Sequence, residues 1–226
     1  MALTQDRALL AVSRENNSLE IWKADSFTQI LNIPGHRNLD IRNLHWLEPE
    51  NTKGSNQNVL TYTRLKNGKT IKNVPRRLIS TGLNGLITEW DLTQNKPKSK
   101  YNCHCAIWDS VLSGKFIYVA CEDGSIRVLK IKKNKIELIK MLVKSSSSCL
   151  SIAVVEEMKK EKTKKTKRSK TNSDDESDDQ SSDADDLMGP VYHVFAGYAD
   201  GTLKKWEVRT GNCLLQIDKY TKKQVG

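Results

Sequence analysis

The sequence predicts an all-β fold, a β-propeller with about four blades present, each a copy of one four-stranded unit. Three observations predict it. A hairpin pattern of alternating apolar runs recurs around a polar turn pair: Asn84-Gly85 within Leu78–Leu92, Asp123-Gly124 within Tyr118–Lys130, Asp200-Gly201 within Phe195–Val208 and, more weakly, Asn16-Asn17 within Leu10–Lys23. Asn-Gly and Asp-Gly between such runs are the strongest short-range hairpin signal, since both central residues of a primed turn take positive φ. Trp22, Trp90, Leu129 and Trp206 each stand five positions after the second turn residue. The turns are 68, 39 and 77 residues apart, against about 40–45 residues for one propeller blade. The middle step is a bare blade, and the outer two are each a blade carrying roughly 30 additional residues.

Taken in order, Leu9–Val12, Leu19–Trp22 and Gln29–Ile33 supply three strands of the first unit. Met1–Arg7 offer little for an innermost strand, so the chain is expected to begin inside a blade. Pro34-Gly35-His36 ends the unit; its Gly-His resembles that of WD repeats, which implies an imidazole in a buried network with a turn Asp and the Trp, the alternative being a loop histidine. Ile41–Leu47 is the next innermost strand, with Leu44 and Trp46 on one side. Residues 48–75 form a polar insertion in one blade, in which Asn67-Gly68 is placed to turn a small hairpin. Arg64, Lys66, Lys69 and Lys72 are its candidate RNA or protein contacts. Thr93–Tyr101 reads as a polar turn and an outer strand. Ala106–Leu112, Phe116–Cys121, Ser125–Lys132 and Ile136–Val143 complete one four-stranded blade, and Leu150–Val155 and Val191–Tyr198 open the next.

Between those last two strands lies the most biased segment, residues 158–186. Its first half carries Lys159, Lys160, Lys162, Lys164, Lys165, Lys167, Arg168 and Lys170, and its second half is acidic from Asp174 onward. With no apolar anchor, it is expected to be a disordered basic-then-acidic loop. The basic run suits a nuclear-localisation signal or a nucleic-acid tether. Ser173 and Ser182 each have an acidic residue three positions on, Glu176 and Asp185, which suits acid-directed phosphorylation. Added phosphate would make the acidic half more repulsive towards RNA.

The formal charge of +10 favours nucleic acid, an anionic surface or an acidic partner. Five cysteines, an odd number spread over strand-like stretches, indicate reduced thiols and an intracellular setting. No apolar run of about 18 residues and no signal-peptide pattern is present, so no membrane role is expected. Catalytic residues, cofactors and small-molecule substrates are not expected either. Gly82-Leu83-Asn84-Gly85 lacks the Lys-Ser/Thr and helix of a phosphate loop. The four histidines lie in different units, and the carboxylates cluster only in the biased loop. Cys103-His104-Cys105 lacks the second ligand pair that a structural zinc site usually has, so no metal site is expected. Trp22, Trp90 and Trp206 occupy equivalent third-strand positions and are expected to fill the space between blades.

Ser80–Leu92, with its Glu-Trp-Asp-Leu, together with Ala106-Ile107-Trp108 and Ala120–Ile126, with its Cys-Glu-Asp-Gly, resembles the cirhin family. These are WD-repeat subunits of the small-subunit processome. Leu10–Trp22 and Cys213–Lys223 extend the resemblance over most of the chain outside the insertions. It implies a WD-repeat β-propeller in the N-terminal part of a nucleolar scaffold. Such a scaffold binds other processome WD-repeat and helical subunits and the pre-ribosomal RNA leader, in support of small-subunit RNA production. The chain departs from the family in length and in its basic-acidic insertion. Four units do not close the expected ring, so the expectation is an incomplete ring, from a fragment or an incomplete gene model. The alternative is a nuclear WD-repeat adaptor without RNA binding, such as a ubiquitin-ligase substrate receptor or a histone-tail reader.

Overall fold

The computed structural model describes residues 1–35, 40–47, 77–142, 144–157 and 191–218. The insertion at 48–75, the segment at 158–186 and His36 lie outside the described residues. Sixteen strands are described, grouped into four antiparallel sheets of four. The first sheet holds β1 (Ala2–Leu3), β2 (Leu9–Ser13), β3 (Leu19–Lys23) and β4 (Gln29–Ile33). The second holds β5 (Ile41–Leu47), β6 (Arg77–Gly82), β7 (Leu86–Asp91) and β8 (Lys96–Asn102). The third holds β9 (Ile107–Ser113), β10 (Phe116–Cys121), β11 (Ile126–Ile131) and β12 (Ile136–Met141), and the fourth β13 (Cys149–Glu157), β14 (Val191–Tyr198), β15 (Leu203–Glu207) and β16 (Cys213–Ile217). Each sheet is an up-and-down meander in chain order, the blade of a WD-repeat propeller. The expectation of a first unit without its innermost strand is corrected: Ala2 and Leu3 pair with Ala11 and Leu10. A two-residue strand has no periodicity to read, and Trp46 fixes it from outside by donating from Nε1 to the Ala2 carbonyl at 3.1 Å.

The turn pairs fall where the pattern places them, with a different geometry. Only the second residue of each pair has positive φ: Asn17 (63°), Gly85 (78°), Gly124 (80°) and Gly201 (86°). That residue ends a three-residue loop, as its amide donates back to the last strand residue, Gly85 N to Gly82 O and Gly124 N to Cys121 O, both at 3.0 Å. A type I turn followed by a left-handed residue closes each hairpin, in place of the two-residue primed turn. The residue before it is an Asx cap. Asn16, Asn84, Asp123 and Asp200 each accept at Oδ1 from the amide two positions on, at 2.9–3.0 Å. Asn and Asp suit this site because their short side chains reach that amide.

The cores lie between sheets. Ala11, Leu19, Ile21, Leu31 and Ile33 of the first sheet pack on Leu44, Trp46, Leu78 and Trp90 of the second. Ile79 and Ile87 of the second meet Ile107, Ile117, Val119 and Leu129 of the third. Phe116, Tyr118 and Val128 of the third meet Ile152, Val194, Ala196 and Trp206 of the fourth. Trp90, Leu129 and Trp206 thus each face the preceding sheet. Trp22 is a correction to the expected pattern. It pairs with Leu10, on the opposite face from Ile21, so it meets no other described sheet; it stays half-buried, with Nε1 donating to Glu20 Oε2 at 3.0 Å. Trp90 instead donates from Nε1 to the buried Ser80 Oγ at 2.9 Å. Trp90→Phe is expected to lower the unfolding free energy by about 2–3 kcal/mol, from lost ring volume and a buried hydroxyl deprived of its donor. Urea denaturation of the two proteins measures it.

Candidate functional site

The described residue most completely enclosed by opposite charge is Glu89, on β7 between Ile87 and Trp90. Its side chain is 1% exposed. Arg77 on β6 donates to it from Nε and Nη2 at 2.7 and 2.8 Å, Lys98 on β8 from Nζ at 3.0 Å and Ser99 from Oγ at 3.0 Å. The neighbouring strands of the meander bring these donors to one carboxylate. Burial alone would push the Glu89 carboxyl up. The hydrogen bonds and charges of Arg77 and Lys98 outweigh it and hold the pKa below the ordinary value.

The same two cations reach the next sheet. Arg77 Nη2 donates to the Lys132 carbonyl at 2.6 Å and Lys98 Nζ to the Lys133 carbonyl at 2.8 Å. Glu89 therefore latches the β11–β12 turn against β8. This gathers a basic edge: exposed Lys96, Lys98 and Lys100 at alternate positions of β8, and Lys132, Lys133 and Lys135 on the turn. Glu137 is ion-paired with Lys132 at 2.6 Å and with Lys135. With Arg77, seven cations here stand against three carboxylates, Glu89, Glu137 and Asp91 beside Lys96, a net positive edge of the kind that tracks a phosphate backbone. Sequence reasoning passed over this edge. The signal was the Lys-x-Lys-x-Lys alternation of an outer strand, but its conjunction with the turn needs two sheets.

A second polar cluster sits on the inner strands. Ser110 Oγ is 2.7 Å from His45 Nε2 and 2.9 Å from Thr81 Oγ1. Asn43 donates to Asp109 Oδ1 at 3.0 Å, and Asp109 Oδ2 accepts from the Ile152 amide at 3.0 Å. Burial pushes His45 down to about 4, against the opposing charge of Asp109. The imidazole is thus neutral, and Asp109 is committed to Asn43 and a backbone amide. Side chains and backbone of β5, β6, β9 and β13 meet here as a joint between three sheets.

A third cluster lies where the Cys103–Cys105 loop crosses from the second sheet to the third. The Cys105 and Cys121 sulfurs and a carboxylate oxygen of Asp123 lie within 4.8 Å of one another. The neighbouring Cys103 and burial push the Cys121 thiol up, Cys121 in turn draws Cys103 down, and burial pushes Cys105 up to about 11. The fold brings Cys121 of β10 and Asp123 of its turn to Cys105. The remaining predicted repeat residues, Asp200, Gly201 and Trp206, shape the fourth sheet. Arg64, Lys66, Lys69 and Lys72, the basic run from Lys159 to Lys170, and Ser173 and Ser182 lie outside the described residues.

No family model matches the chain. It is 28% identical over 148 residues to the human U3 small nucleolar RNA-associated protein 4 homolog, covering 64% of this chain and 18% of that protein. It is 29% identical over 133 residues to the U3 small nucleolar RNA-associated protein 4 of Saccharomyces cerevisiae, covering 57% and 14%. The mouse homolog is 27% identical over 147 residues, covering 63% and 18%. The chain spans less than a fifth of the length of these relatives. The similarities support the processome WD-repeat kinship that the hairpin motifs suggest.

Proposed function

We propose that this chain is a non-catalytic scaffold module in ribosome biogenesis, acting in the small-subunit processome to support processing of pre-ribosomal RNA. The observation that carries the reading is the similarity to U3 small nucleolar RNA-associated proteins across about three-fifths of the chain. A four-sheet WD-type fold offering surfaces to several partners supports it. In this reading the interblade faces hold the module together, and its loops and rims bind other processome WD-repeat and helical subunits. The basic edge of β8 and the β11–β12 turn contacts the pre-ribosomal RNA leader, and the Lys159–Lys170 run serves nuclear localisation or RNA tethering.

Purification of the endogenous protein with sequencing of crosslinked RNA tests the reading. Recovery of pre-ribosomal leader RNA with processome subunits supports it. Recovery of ubiquitin-ligase or chromatin proteins without that RNA overturns it. The RNA contact has its own prediction. Lys96, Lys100 and Lys133 are exposed, so changing all three to Gln leaves the fold intact. The triple variant is expected to bind leader RNA more weakly in a salt titration. Each lost phosphate contact should flatten the slope of log affinity against log salt by about 0.7.

A further inference from the structure

The geometry points to a zinc site at the junction of the second and third sheets, built from Cys105, Cys121 and Asp123 with the fourth tetrahedral position left to solvent. Tetrahedral zinc with bonds of about 2.3 Å to sulfur and about 2.0–2.2 Å to oxygen places its ligand atoms about 3.5–3.8 Å apart. Cys105 Sγ, Cys121 Sγ and an Asp123 oxygen already lie within 4.8 Å of one another. Two thiolates and a carboxylate suit a borderline-soft divalent ion better than a hard one.

The scaffold around these three residues is fixed before any ion arrives. Cys103 N donates to Gly85 O at 2.8 Å, which ties the loop to the second sheet's hairpin turn. Glu122 N donates to Ala106 O at 2.9 Å, which ties it to the third sheet's turn. His104 takes a left-handed conformation, with φ of 57°, and its amide donates to Asn102 Oδ1 at 2.7 Å. Asp123 is held by Ser125, which donates to Oδ1 from Oγ at 2.6 Å and from its amide at 3.0 Å.

The outer shell suits an electron-rich metal centre. Arg127 Nη2 donates to Cys105 Sγ at 3.4 Å and to Asp123 Oδ2 at 3.1 Å, and Nη1 donates to the Cys103 carbonyl. Lys144 Nζ stands 3.7 Å from Asp123 Oδ2. With zinc bound, the ion and Arg127 carry three positive charges, which balance two thiolates and one carboxylate. Donors to coordinating groups of this kind orient the ligands and sustain metal affinity. The site would pin one blade to the next at a point where the interblade core reaches the surface.

The test uses the full chain, purified under reducing conditions, with its metal content measured and cobalt(II) then titrated in. One equivalent of zinc per chain is expected, and cobalt should give sulfur-to-metal charge-transfer bands with the intense visible bands of a tetrahedral centre. Cys105→Ser and Asp123→Asn should lose stoichiometric binding, whereas Cys213→Ser, away from the cluster, should keep it. Zinc-edge absorption spectroscopy on the unaltered chain gives a readout free of folding defects, with two sulfur neighbours and the rest oxygen expected. A chain with reduced thiols that takes up no stoichiometric zinc, or zinc without sulfur neighbours, overturns the site. Neither result bears on the RNA reading, which the crosslinking experiment decides separately.

Discussion

Gly124→Ala is expected to destabilise the protein by about 3 kcal/mol or more, the sum of a left-handed backbone penalty and a backbone collision. Gly124 has φ of +80°, and a Cβ there would run into the Ser145 carbonyl and sit 2.6 Å from that of Ser147. Both acceptors are backbone atoms of the loop leading to the fourth sheet, so no side-chain rotation relieves the contact. That loop is itself pinned to the turn, because Ser145 N donates to Gly124 O at 3.0 Å. Gly85 repeats the arrangement one blade earlier, its absent Cβ lying 2.6 Å from the Cys105 carbonyl. Gly114→Ala is the control. Its φ is +54°, but nothing lies within 4 Å of the added carbon, so only the conformational cost of about 1 kcal/mol remains. Urea midpoints of the two variants separate the terms. Equal losses would show that the packing of loop on turn contributes nothing.

The comparison explains why the first hairpin tolerates Asn17 where the others have glycine. Asn17 also has positive φ, and its Oδ1 accepts from the Ile41 amide at 3.3 Å. A side chain here does what the incoming loop does at Gly85 and Gly124, tying the turn to the start of the next sheet. Asn-Gly and Asp-Gly were readable as turns because their chemistry is local. The same pairs serve a primed turn and a three-residue loop ending in a left-handed residue, so the sequence located each turn without deciding its type. The tryptophan spacing was legible for a related reason: five residues from the turn set both the strand and the face. Trp22 obeys that register, yet the rule says nothing of what lies opposite the face.

The sites were legible only in part. Glu89 is one of the residues quoted for the family resemblance, in Glu-Trp-Asp-Leu, but its partners are Arg77, Lys98, Ser99 and, through those cations, two carbonyls of another sheet. No pattern along the chain announces such a convergence. Cys121 and Asp123 likewise meet Cys105 only because a meander returns β10 to the loop before β9. Pairing rules based on spacing weigh residues that lie in one hairpin and do not address clusters divided between neighbouring blades.

Glu89→Ala is expected to cost about 3 kcal/mol at neutral pH. Removing one member of a buried ion cluster leaves the others uncompensated, at roughly 3–5 kcal/mol, and the low end applies because Arg77 and Lys98 keep 23% and 34% of their side-chain exposure. Glu89→Gln, which retains the shape, should show the same sign with a smaller loss. The pH dependence separates charge from packing. The folded-state pKa of Glu89 lies below its ordinary value of 4.5, so the ionised carboxylate favours the folded state. Its contribution is complete above pH 4.5 and disappears as pH falls through the depressed folded value. The stability gap between the parent and Glu89→Gln should therefore be flat from pH 7 to about 5 and close in more acid solution. A gap that persists there would assign the loss to packing alone. The latch also has a functional consequence, because it is what seats the β11–β12 turn beside β8. Hydrogen exchange in Glu89→Ala should accelerate at the amides of the 132–135 turn, and leader RNA binding should weaken although no lysine has been changed. Full RNA affinity in a variant with a loosened turn would show that the lysines act as independent charges and that their arrangement on the edge is immaterial.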